Sequence, residues 1–413
     1  MIWRKFSIVF VNKELIHFSN SDNCRSIGSS IDGLKTSQRK ILFSCFKRNL
    51  RSEIRVAQLS GYVSENAAYH HGEASLNGTI IGLAQDYVGS NNINLFLPKG
   101  QFGTRMQGGK DHASERYIYT CLNKITRSIF STKDDGILTY LDDDGFSVEP
   151  IFYLPIIPML LVNGSKGIGT GFSTDIPSFN PSVIVEHLQG LLIGKPCEKE
   201  LIPYYRGFKG TIEKVVDIPG KYMVRGIYEK INSEYVVVTE LPIGIWIDDY
   251  KAYIETIIEN KKRNIIRDYE DTSTDKDVKI KIRFAKGVLD SEGFDLEKTL
   301  KMVVNKNTHN MHMFDDKERL KKYNTPLEII RDFYEIRLGY YEVRRLFCLK
   351  DCKERLTRIS NKVQYINGVL DSTIDLRNKS QNAICILLES RGLEKIDDSY
   401  HYLTKMTMDS LSL

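Results

Sequence analysis

Apolar residues at helical spacing dominate the first third of the chain. After a break at Gly33, the segment TSQRKILFSCFK carries apolar residues on one side, which predicts a helix capped by Thr36 or Ser37. Residues 55–89 predict further short helices punctuated by glycines at 61, 72 and 82. Several short helices with a basic face are typical of helix-turn-helix or winged-helix domains.

The pattern changes after Pro150. The apolar, proline-flanked run YLPIIPMLLVNGSKGIGTGF predicts buried strands followed by a tight turn. Residues 205–290 alternate between apolar and polar side chains, which predicts an antiparallel sheet, and the hydrophilic residues 267–277 predict an exposed loop within it.

The last part of the chain predicts a long helix. Thr325, Pro326 and Glu328 form a capping box with proline at the first helical position. Apolar residues then recur at intervals of three and four, as in a coiled coil. This stripe, called the seam below, consists of Leu349, Cys352, Leu356, Ile359, Val363, Ile366 and Leu370. A seam requires a partner helix, which we expect in another chain or beyond Leu413.

Length and composition predict an α+β multidomain protein without a membrane segment. The chain has 413 residues, more than the ~250–300 at which single cores stop growing. Its apolar runs are shorter than the ~20 residues of a membrane span, and the N-terminus is too mixed for a signal peptide. Seven dispersed cysteines without a CxxC pair predict reduced intracellular thiols.

Basic residues are concentrated near the N-terminus. The formal net charge is only +5, yet residues 25–55 carry eight basic side chains against two acidic ones. The basic residues are Arg25, Lys35, Arg39, Lys40, Lys47, Arg48, Arg51 and Arg55. Such a cluster attracts a polyanion, although a solvated basic helix face is an equally good interpretation of charge alone.

Three short motifs are better explained by local structure than by ligand or metal binding. GSKGIGTG at 164–171 lacks the spacing of phosphate-binding loops, so its glycines indicate a tight turn and a close backbone approach. HHGE at 70–73 lacks the spacing and the further ligand of a metal site, and LDDDG at 141–145 predicts a turn, not a calcium loop.

The segment GGKDHASERYIYT at 108–120 poses the main chemical question. Tyr117 is either a half-buried aromatic residue or a nucleophile. A phenol has a pKa of ~10, so attack on a phosphodiester requires cationic side chains nearby. Arg116 is adjacent in the sequence, and Lys110 and Arg105 are close.

At these residues the sequence resembles the breakage-reunion core of type IIA DNA topoisomerases, in particular the eukaryotic and large-DNA-virus topoisomerase II. The likeness is collinear from about Phe10 to the predicted coiled coil. The matching segments are SIDGLKTSQRKILFSCFKRN, RVAQLSGYVSE, YHHGEASL, IIGLAQDYVGSNNINL, GQFGTR, GGKD, RYIYT, YLPIIPMLLVNGSKGIGTGFSTDIP and YRGFKGTIE.

The resemblance implies a role for individual residues. Tyr117 would attack a backbone phosphate and become linked to the 5′ end of the cut strand, with Arg116 and His71 beside that phosphate. Ile168 would insert between base pairs and bend the DNA. The remaining expected DNA-binding residues are Arg25, Lys35, Arg39, His70 and Lys110. No metal ligand is expected in this chain.

The resemblance also implies an architecture. We expect a winged-helix domain with the catalytic tyrosine at 1–153, an α/β tower domain at 154–324, and a coiled-coil arm at 325–413 that leads to a dimer gate and stops before the returning helix. Glu115 departs from the small residue or proline typical of the family.

The cofactors and partners are expectations from the same resemblance. The acidic metal-binding motif of the family and its ATP-binding segment are missing from this sequence, so Mg²⁺ and ATP would be bound by TOPRIM and ATPase portions outside it. Double-stranded DNA, a second copy of the chain and those portions are the expected partners, in the nucleus or at a site of viral DNA replication.

Two other functions compete with this hypothesis. A truncated, non-catalytic module for DNA binding and dimerisation would use the same basic helices and coiled coil while Tyr117 stayed idle. The sequence does not favour a tyrosine recombinase, because the dispersed arginine and histidine pattern of that class is not evident.

Overall fold

The computed structural model describes residues 10–260, 265–377, 379–396 and 398–406. It is a mixed α/β structure that divides into two compact units, one ending at Leu338 and the other beginning at Gly339. Among the helices that the structure describes, none combines the length and apolar composition that a membrane span requires.

The helices follow in chain order. A π-helical turn, Val11–Leu15, leads into the first α-helix, and a 3-10 helix covers Thr132–Ile137. The α-helices are α1 (Ile16–Ser26), α2 (Thr36–Lys47), α3 (Val56–Asn66), α4 (Glu73–Ala84), α5 (Thr126–Ile129), α6 (Met159–Asn163), α7 (Pro181–Leu192), α8 (Ile247–Glu259), α9 (Leu296–Thr299), α10 (Pro326–Leu370), α11 (Gln381–Ser390) and α12 (His401–Thr404).

The strands form several small antiparallel sheets. They are β1 (Ile54–Arg55), β2 (Phe96–Lys99), β3 (Tyr119–Leu122), β4 (Tyr140–Asp143), β5 (Phe146–Pro150), β6 (Ser165–Ile168), β7 (Ser173–Ile176), β8 (Thr211–Lys214), β9 (Lys221–Arg225), β10 (Ile227–Lys230), β11 (Tyr235–Glu240), β12 (Ile266–Asp271), β13 (Ile280–Phe284), β14 (Val303–Asn307), β15 (Met311–Phe314) and β16 (Leu320–Tyr323). Their neighbours are ordered β1-β3-β2, β10-β11-β13-β12 and β14-β9-β8, with β4-β5, β6-β7 and β15-β16 as pairs.

The predicted helix after Gly33 is confirmed as α2, but the predicted cap is wrong. Lys35 is the N-cap residue, and its backbone N–H donates to Gln38 Oε1 over 2.9 Å. The Thr36 hydroxyl is directed to the preceding helix instead, where it donates to the carbonyl of Cys24 over 3.1 Å. Tertiary contact with the preceding helix therefore overrides the local capping preference.

The predicted short helices at 55–89 are α3 and α4, although only one of the three glycines separates them. Gly72 precedes α4, whereas Gly61 and Gly82 lie inside α3 and α4 and have open space around them. Rows of buried apolar residues on both helices offset the poor helix propensity of glycine.

The prediction of strands after Pro150 is partly wrong. Met159–Asn163 is a short helix in which Leu160, Leu161 and Val162 are all buried. A fully apolar run looks alike in a buried strand and a buried helix, so periodicity does not distinguish them. The predicted tight turn follows, as the hairpin between β6 and β7.

The antiparallel sheet predicted for residues 205–290 is confirmed. Strand β13 alternates buried and exposed residues and pairs with β11 and β12 on its two sides. The loop predicted at 267–277 is wrong in its first half, because β12 (Ile266–Asp271) is an edge strand. Its polar composition is typical of sheet edges, where charged residues discourage further pairing.

The described part of the first unit contains several hydrophobic cores, and two of them are large. One takes its residues from 27–201 and 311–330, and the other takes them from 236–302. Phe130 and Leu161, on either side of the domain boundary predicted after residue 153, share the first core. The sheet β10-β11-β13-β12 with α8 forms the second core.

The start of α10 agrees with the predicted capping box. Thr325 Oγ1 accepts from the Glu328 N–H over 3.3 Å, and the Glu328 carboxylate accepts from the Asn324 N–H over 2.8 Å. In the second unit, Tyr365 on α10 packs with Leu388 and Leu403 in a small core. None of the seam residues belongs to this core, and Leu356 and Ile359 of the seam are exposed.

Candidate functional site

Tyr117 lies at the end of a tight turn and points outward. Its backbone N–H donates to the Ser114 carbonyl over 2.9 Å, and its side chain is 74% exposed. The next residue, Ile118, is buried at the entry to β3, and its carbonyl accepts from the Val56 N–H over 3.1 Å. The backbone is therefore anchored on both sides of Tyr117 while the phenol stays in solvent.

The second tyrosine of the segment has a different environment. Arg55 Nε donates to the Tyr119 hydroxyl over 2.8 Å, and the Arg55 guanidinium lies 5.5 Å from the centre of the Tyr119 ring. Within the residues that the structure describes, the Tyr117 hydroxyl has no such hydrogen bond. Of the two tyrosines, Tyr117 is the more exposed.

The glycines that precede Tyr117 fit a closely packed loop. Gly108 has a φ of 63°, and a Cβ there would lie 2.2 Å from the Trp246 indole. Gly109 has a φ of 82°, and a Cβ there would lie 2.4 Å from the Gln85 amide nitrogen. Neither position has room for a side chain, so this loop is fixed against Trp246 and Gln85.

The same loop is fastened to the start of α8. The Ile247 N–H donates to the Arg105 carbonyl over 3.3 Å, and the Asp248 N–H donates to the Met106 carbonyl over 3.0 Å. The Arg105 side chain is buried in an ion pair with Glu240 at the end of β11. The interpretation of Arg105 as a cation near the phenol is therefore corrected: it joins the loop to the sheet.

Arg116 and Lys110 are both exposed on the segment that carries Tyr117. Glu115 is half-buried, and its carbonyl accepts from the Ala57 N–H over 3.2 Å. Its carboxylate lies 3.4 Å from the Ser114 hydroxyl, which donates to it. The acid is thus engaged by its own turn and forms no ion pair with Arg116 in the part of the chain described.

His70 and His71 lie just before α4 and are exposed. His70 Nε2 is 3.5 Å from Asp143 Oδ2, and the His71 ring packs edge-on against Tyr69 with 5.5 Å between ring centres. Partial desolvation, together with the positive charges of Arg25, His70 and Lys40, lowers the pKa of His71.

The three basic residues predicted to bind DNA from residues 25–39 have different surroundings. Arg25 is exposed in the last turn of α1. Lys35 Nζ donates to the Lys166 carbonyl over 2.8 Å, and burial lowers the pKa of Lys35. Arg39 Nε donates to the buried Asp32 carboxylate over 2.8 Å, so its guanidinium supports the turn before α2 from inside.

A polar groove of about 600 Å³ runs past Lys35. Small and polar residues predominate in its wall. The wall includes Lys35, Ser37, Gln38, Ser75, Gly78, Thr79, Gly82, Gly164, Ser165, Lys166, Trp246 and Lys306. Lysines and hydroxyls suit the sugar-phosphate backbone of a nucleic acid.

Ile168 is the last residue of β6 and is 78% exposed. The turn after it is closed by the Gly169 N–H, which donates to the Phe172 carbonyl over 2.9 Å. Phe172, in the same turn, is also exposed, so this hairpin carries two apolar side chains in solvent.

Sequence reasoning missed Lys166 and Phe172, which share the hairpin with Ile168, and it counted Arg55 only as one charge of a cluster. Lys166 and Phe172 are exposed, and Arg55 lies beside Tyr119 on paired strands. The GSKGIGTGF segment already contained Lys166 and Phe172. The pairing of β1 with β3 was the missing information for Arg55, because two-residue strands carry no periodic signal.

Comparison with known proteins adds a family to this geometry. The sequence model of the family formed by the A subunits of DNA gyrase and topoisomerase IV matches residues 25–413. This chain belongs to that family. The resemblance to type IIA topoisomerases is therefore confirmed.

Eukaryotic proteins are among the curated relatives of this chain. "DNA topoisomerase 2" of Candida albicans is 45% identical over 94% of this chain and 26% of its own length. "DNA topoisomerase 2-alpha" of Homo sapiens is 44% identical over 93% of this chain and 25% of its own length. The chain thus spans about a quarter of the length of these relatives.

A solved structure agrees with the fold. The "topoisomerase II DNA-binding, cleavage and re-ligation domain" of Plasmodium falciparum superposes with a TM-score of 0.89 at 39% identity. The match covers 98% of this chain and 58% of the Plasmodium chain. Both the α/β architecture and the family are consistent across the comparisons.

Proposed function

We propose that this chain is the DNA-gate part of a type IIA, ATP-dependent DNA topoisomerase, and that Tyr117 is its nucleophile. The observation that carries the proposal is the placement of Tyr117: a member of this family presents an exposed phenol beside Arg116 on an anchored turn. Its hydroxyl is open to a docked duplex.

The reaction is a transesterification. Tyr117 Oη gives up its proton and attacks a backbone phosphorus, the P–O3′ bond breaks, and the phosphate stays on the tyrosine at the 5′ end. The leaving 3′ oxygen takes up one proton in exchange and becomes the 3′ hydroxyl. Arg116 neutralises the phosphate, and His71 lies in the positive surface near it. Because the phosphodiester energy is kept in the phosphotyrosine, the reverse attack by the 3′ hydroxyl reseals the strand.

DNA binding in this proposal uses backbone contacts. Arg25, Lys35, His70 and Lys110 contact phosphates, Ile168 inserts between base pairs, and Arg39 holds the surface from behind through Asp32. Contacts of this kind give little sequence preference and strong salt dependence. The cost of the inserted isoleucine is recovered by the wider contact of bent DNA.

The domains take the roles that the family suggests. The helices α2–α4 with β1–β3 act as the winged-helix domain, the sheets from β8 to β14 as the tower, and α10 as the arm that leads to a dimer gate. Two copies are required, because each tyrosine cuts one strand. The eukaryotic relatives support a nuclear location, and they lend no support to a viral one.

The residues that the structure describes offer no magnesium site. In the described ranges, no group of three or more His, Cys, Asp or Glu side chains is placed to hold a metal ion. The glycine segment 164–171 forms a hairpin and its turn, not a strand-to-helix phosphate loop. We therefore assign Mg²⁺ and ATP to TOPRIM and ATPase portions outside this sequence, and no step above depends on them.

The test is covalent trapping. The chain is combined with the TOPRIM and ATPase portions of a type II topoisomerase, plasmid DNA, magnesium and ATP, and the reaction is stopped with denaturant. We expect protein joined to 5′ ends and a linearised plasmid. The Tyr117→Phe variant lacks the nucleophilic oxygen, so it should form no adduct.

The matched control is Tyr119→Phe, two residues away. That variant loses only the hydrogen bond from Arg55, so it should still form the adduct. An adduct with Tyr117→Phe would refute the assignment of the nucleophile. Failure of the unmodified chain to form any adduct, with DNA binding retained, would favour the non-catalytic module instead.

A further inference from the structure

We infer that Asp22 and Asn23, at the end of α1, are positioning residues for Ile168: they hold the β6–β7 turn so that the isoleucine can enter the DNA stack. The inference rests on the proposed function, because it takes Ile168 as the inserted residue. It adds residues that contact no DNA in that proposal.

An inserted residue requires a stiff support. Strands β6 and β7 have four residues each, and an isolated two-stranded hairpin is at best marginally stable. Separating stacked base pairs costs energy. A flexible hairpin would therefore be displaced by the DNA, and the base pairs would stay stacked. The surroundings of the turn therefore decide whether Ile168 can work as a wedge.

Helix α1 supplies the support on one side of the turn. The Thr170 hydroxyl donates to Asp22 Oδ2 over 2.8 Å, and Asn23 Nδ2 donates to the Thr170 carbonyl over 3.1 Å. Asn23 is buried, whereas Thr170 is exposed. The side chains of two adjacent residues of α1 therefore form hydrogen bonds with one residue in the turn of the hairpin.

The glycines on either side of Ile168 allow this close approach. A Cβ at Gly167 would lie 2.0 Å from the Ser26 carbonyl oxygen, and a Cβ at Gly169 would lie 2.1 Å from Asn23 Oδ1. Any side chain at either position would push the hairpin away from α1. The close backbone approach indicated by the sequence GSKGIGTG is therefore an approach to this helix.

Other parts of the first unit hold the base of the hairpin. Lys35 Nζ donates to the Lys166 carbonyl over 2.8 Å, and the Asp175 N–H donates to the Asn310 carbonyl over 2.8 Å. Asn310 Nδ2 donates to the Ser173 hydroxyl over 2.8 Å. These contacts fix the strands, while Asp22 and Asn23 fix the turn beyond Ile168.

The experiment measures DNA bending by the chain alone, with no metal and no cleavage. A duplex labelled at its two ends with a donor and an acceptor dye reports the bent fraction by energy transfer, and its anisotropy reports affinity. We expect Asp22→Ala and Thr170→Val to lower the ratio of bent to straight complexes about three- to tenfold, as for one lost hydrogen bond. Affinity for a pre-bent duplex should stay unchanged.

A double-mutant cycle separates positioning from a general effect. Asp22→Ala and Thr170→Val remove the same contact, so combining them should cost no more than either one alone. Ser19→Ala is the control on the same helix, because the Ser19 hydroxyl donates to the Leu15 carbonyl and does not reach the hairpin. It should bend DNA normally.

The outcomes distinguish the inference from the proposed function. If Ile168→Ala bends DNA as well as the unmodified chain, the wedge itself is wrong. If Ile168→Ala loses bending but Asp22→Ala and Thr170→Val do not, the inference is overturned. Thermal unfolding identifies variants that lose structure, and Thr170→Val keeps the test valid because Thr170 is exposed.

Discussion

The nucleophile of a phosphoryl transfer must be reachable, yet its backbone must be fixed before the phosphate arrives. Tyr117 meets both requirements because an exposed side chain is followed directly by Ile118, which is buried. The loop behind it is fixed by the fit of Gly108 against Trp246. Little reorganisation of the protein is then required when a duplex docks.

The titration of His71 tests whether a phosphate binds beside it. In the free protein its pKa is lowered, first by desolvation and then by the charges of Arg25, His70 and Lys40. A bound phosphate favours the imidazolium and raises that pKa. Binding should therefore take up a proton in the window between the two pKa values, and affinity should rise as pH falls from about 7 to about 5.

The measurement is calorimetric titration of the chain with a duplex in buffers of different ionisation enthalpy. His71→Gln should lower the proton uptake. His309→Gln, a histidine beside Gly220 in another part of the first unit, is the control and should leave it intact. Proton uptake that is the same in His71→Gln as in the unmodified chain would contradict the prediction.

Residues whose charge is paired inside the fold were the hardest to predict from the sequence. Sequence reasoning treats Arg39 and Arg105 as cations for a nucleic acid, but each is held by a carboxylate, from Asp32 and Glu240 respectively. Glu240 is 135 residues from Arg105. Local charge counts do not contain that information. Tyr117 was better defined, because its cationic neighbours and the family motif lie in one segment.

At the scale of elements, two predictions from signals within a few residues are correct. The capping residues Thr325 and Glu328 mark the start of α10, and alternation marks β13. Elements set by burial were not predicted: α6 is an apolar run that folds as a helix, and β12 is a polar segment at a sheet edge. In both, the tertiary surroundings decide the structure.

The exposed seam of α10 leads to a prediction about association. Leu356 is 68% exposed and Ile359 is 61% exposed, while Tyr365 of the same helix is buried in the core of the second unit. Apolar residues in such a stripe are stabilised only by a partner helix. Leu356→Lys should therefore weaken self-association at least about tenfold, because it places a charge in the partner's interface.

Sedimentation velocity over a range of concentrations measures the association, and thermal unfolding checks the fold. Lys353→Leu is a useful counterpart, since it changes a neighbouring exposed residue outside the seam. Association unaltered by Leu356→Lys would show that the seam is not where two chains meet. Loss of structure in that variant would contradict the separation of the seam from the core around Tyr365.

At the scale of the whole molecule, the arrangement of charge matters more than its sum. A net charge of +5 on 413 residues is modest. Of the cluster at 25–55, Arg39 and Lys40 are paired internally with Asp32 and Glu149, so fewer positive charges remain for a ligand than the sequence suggests. Lys35 remains at the groove, and Arg25 remains close enough to His71 to affect its pKa.

Salt dependence distinguishes this local arrangement from a general attraction. Each phosphate neutralised by a side chain contributes about −0.9 to the slope of log K against log salt concentration. Arg25→Gln and Lys35→Gln should each reduce the magnitude of that slope by about one. Arg319→Gln removes an equal charge, but Arg319 is paired with Asp315, so it should leave the slope unchanged. If all three variants shift the slope equally, attraction follows net charge, and the groove at Lys35 is not the binding surface.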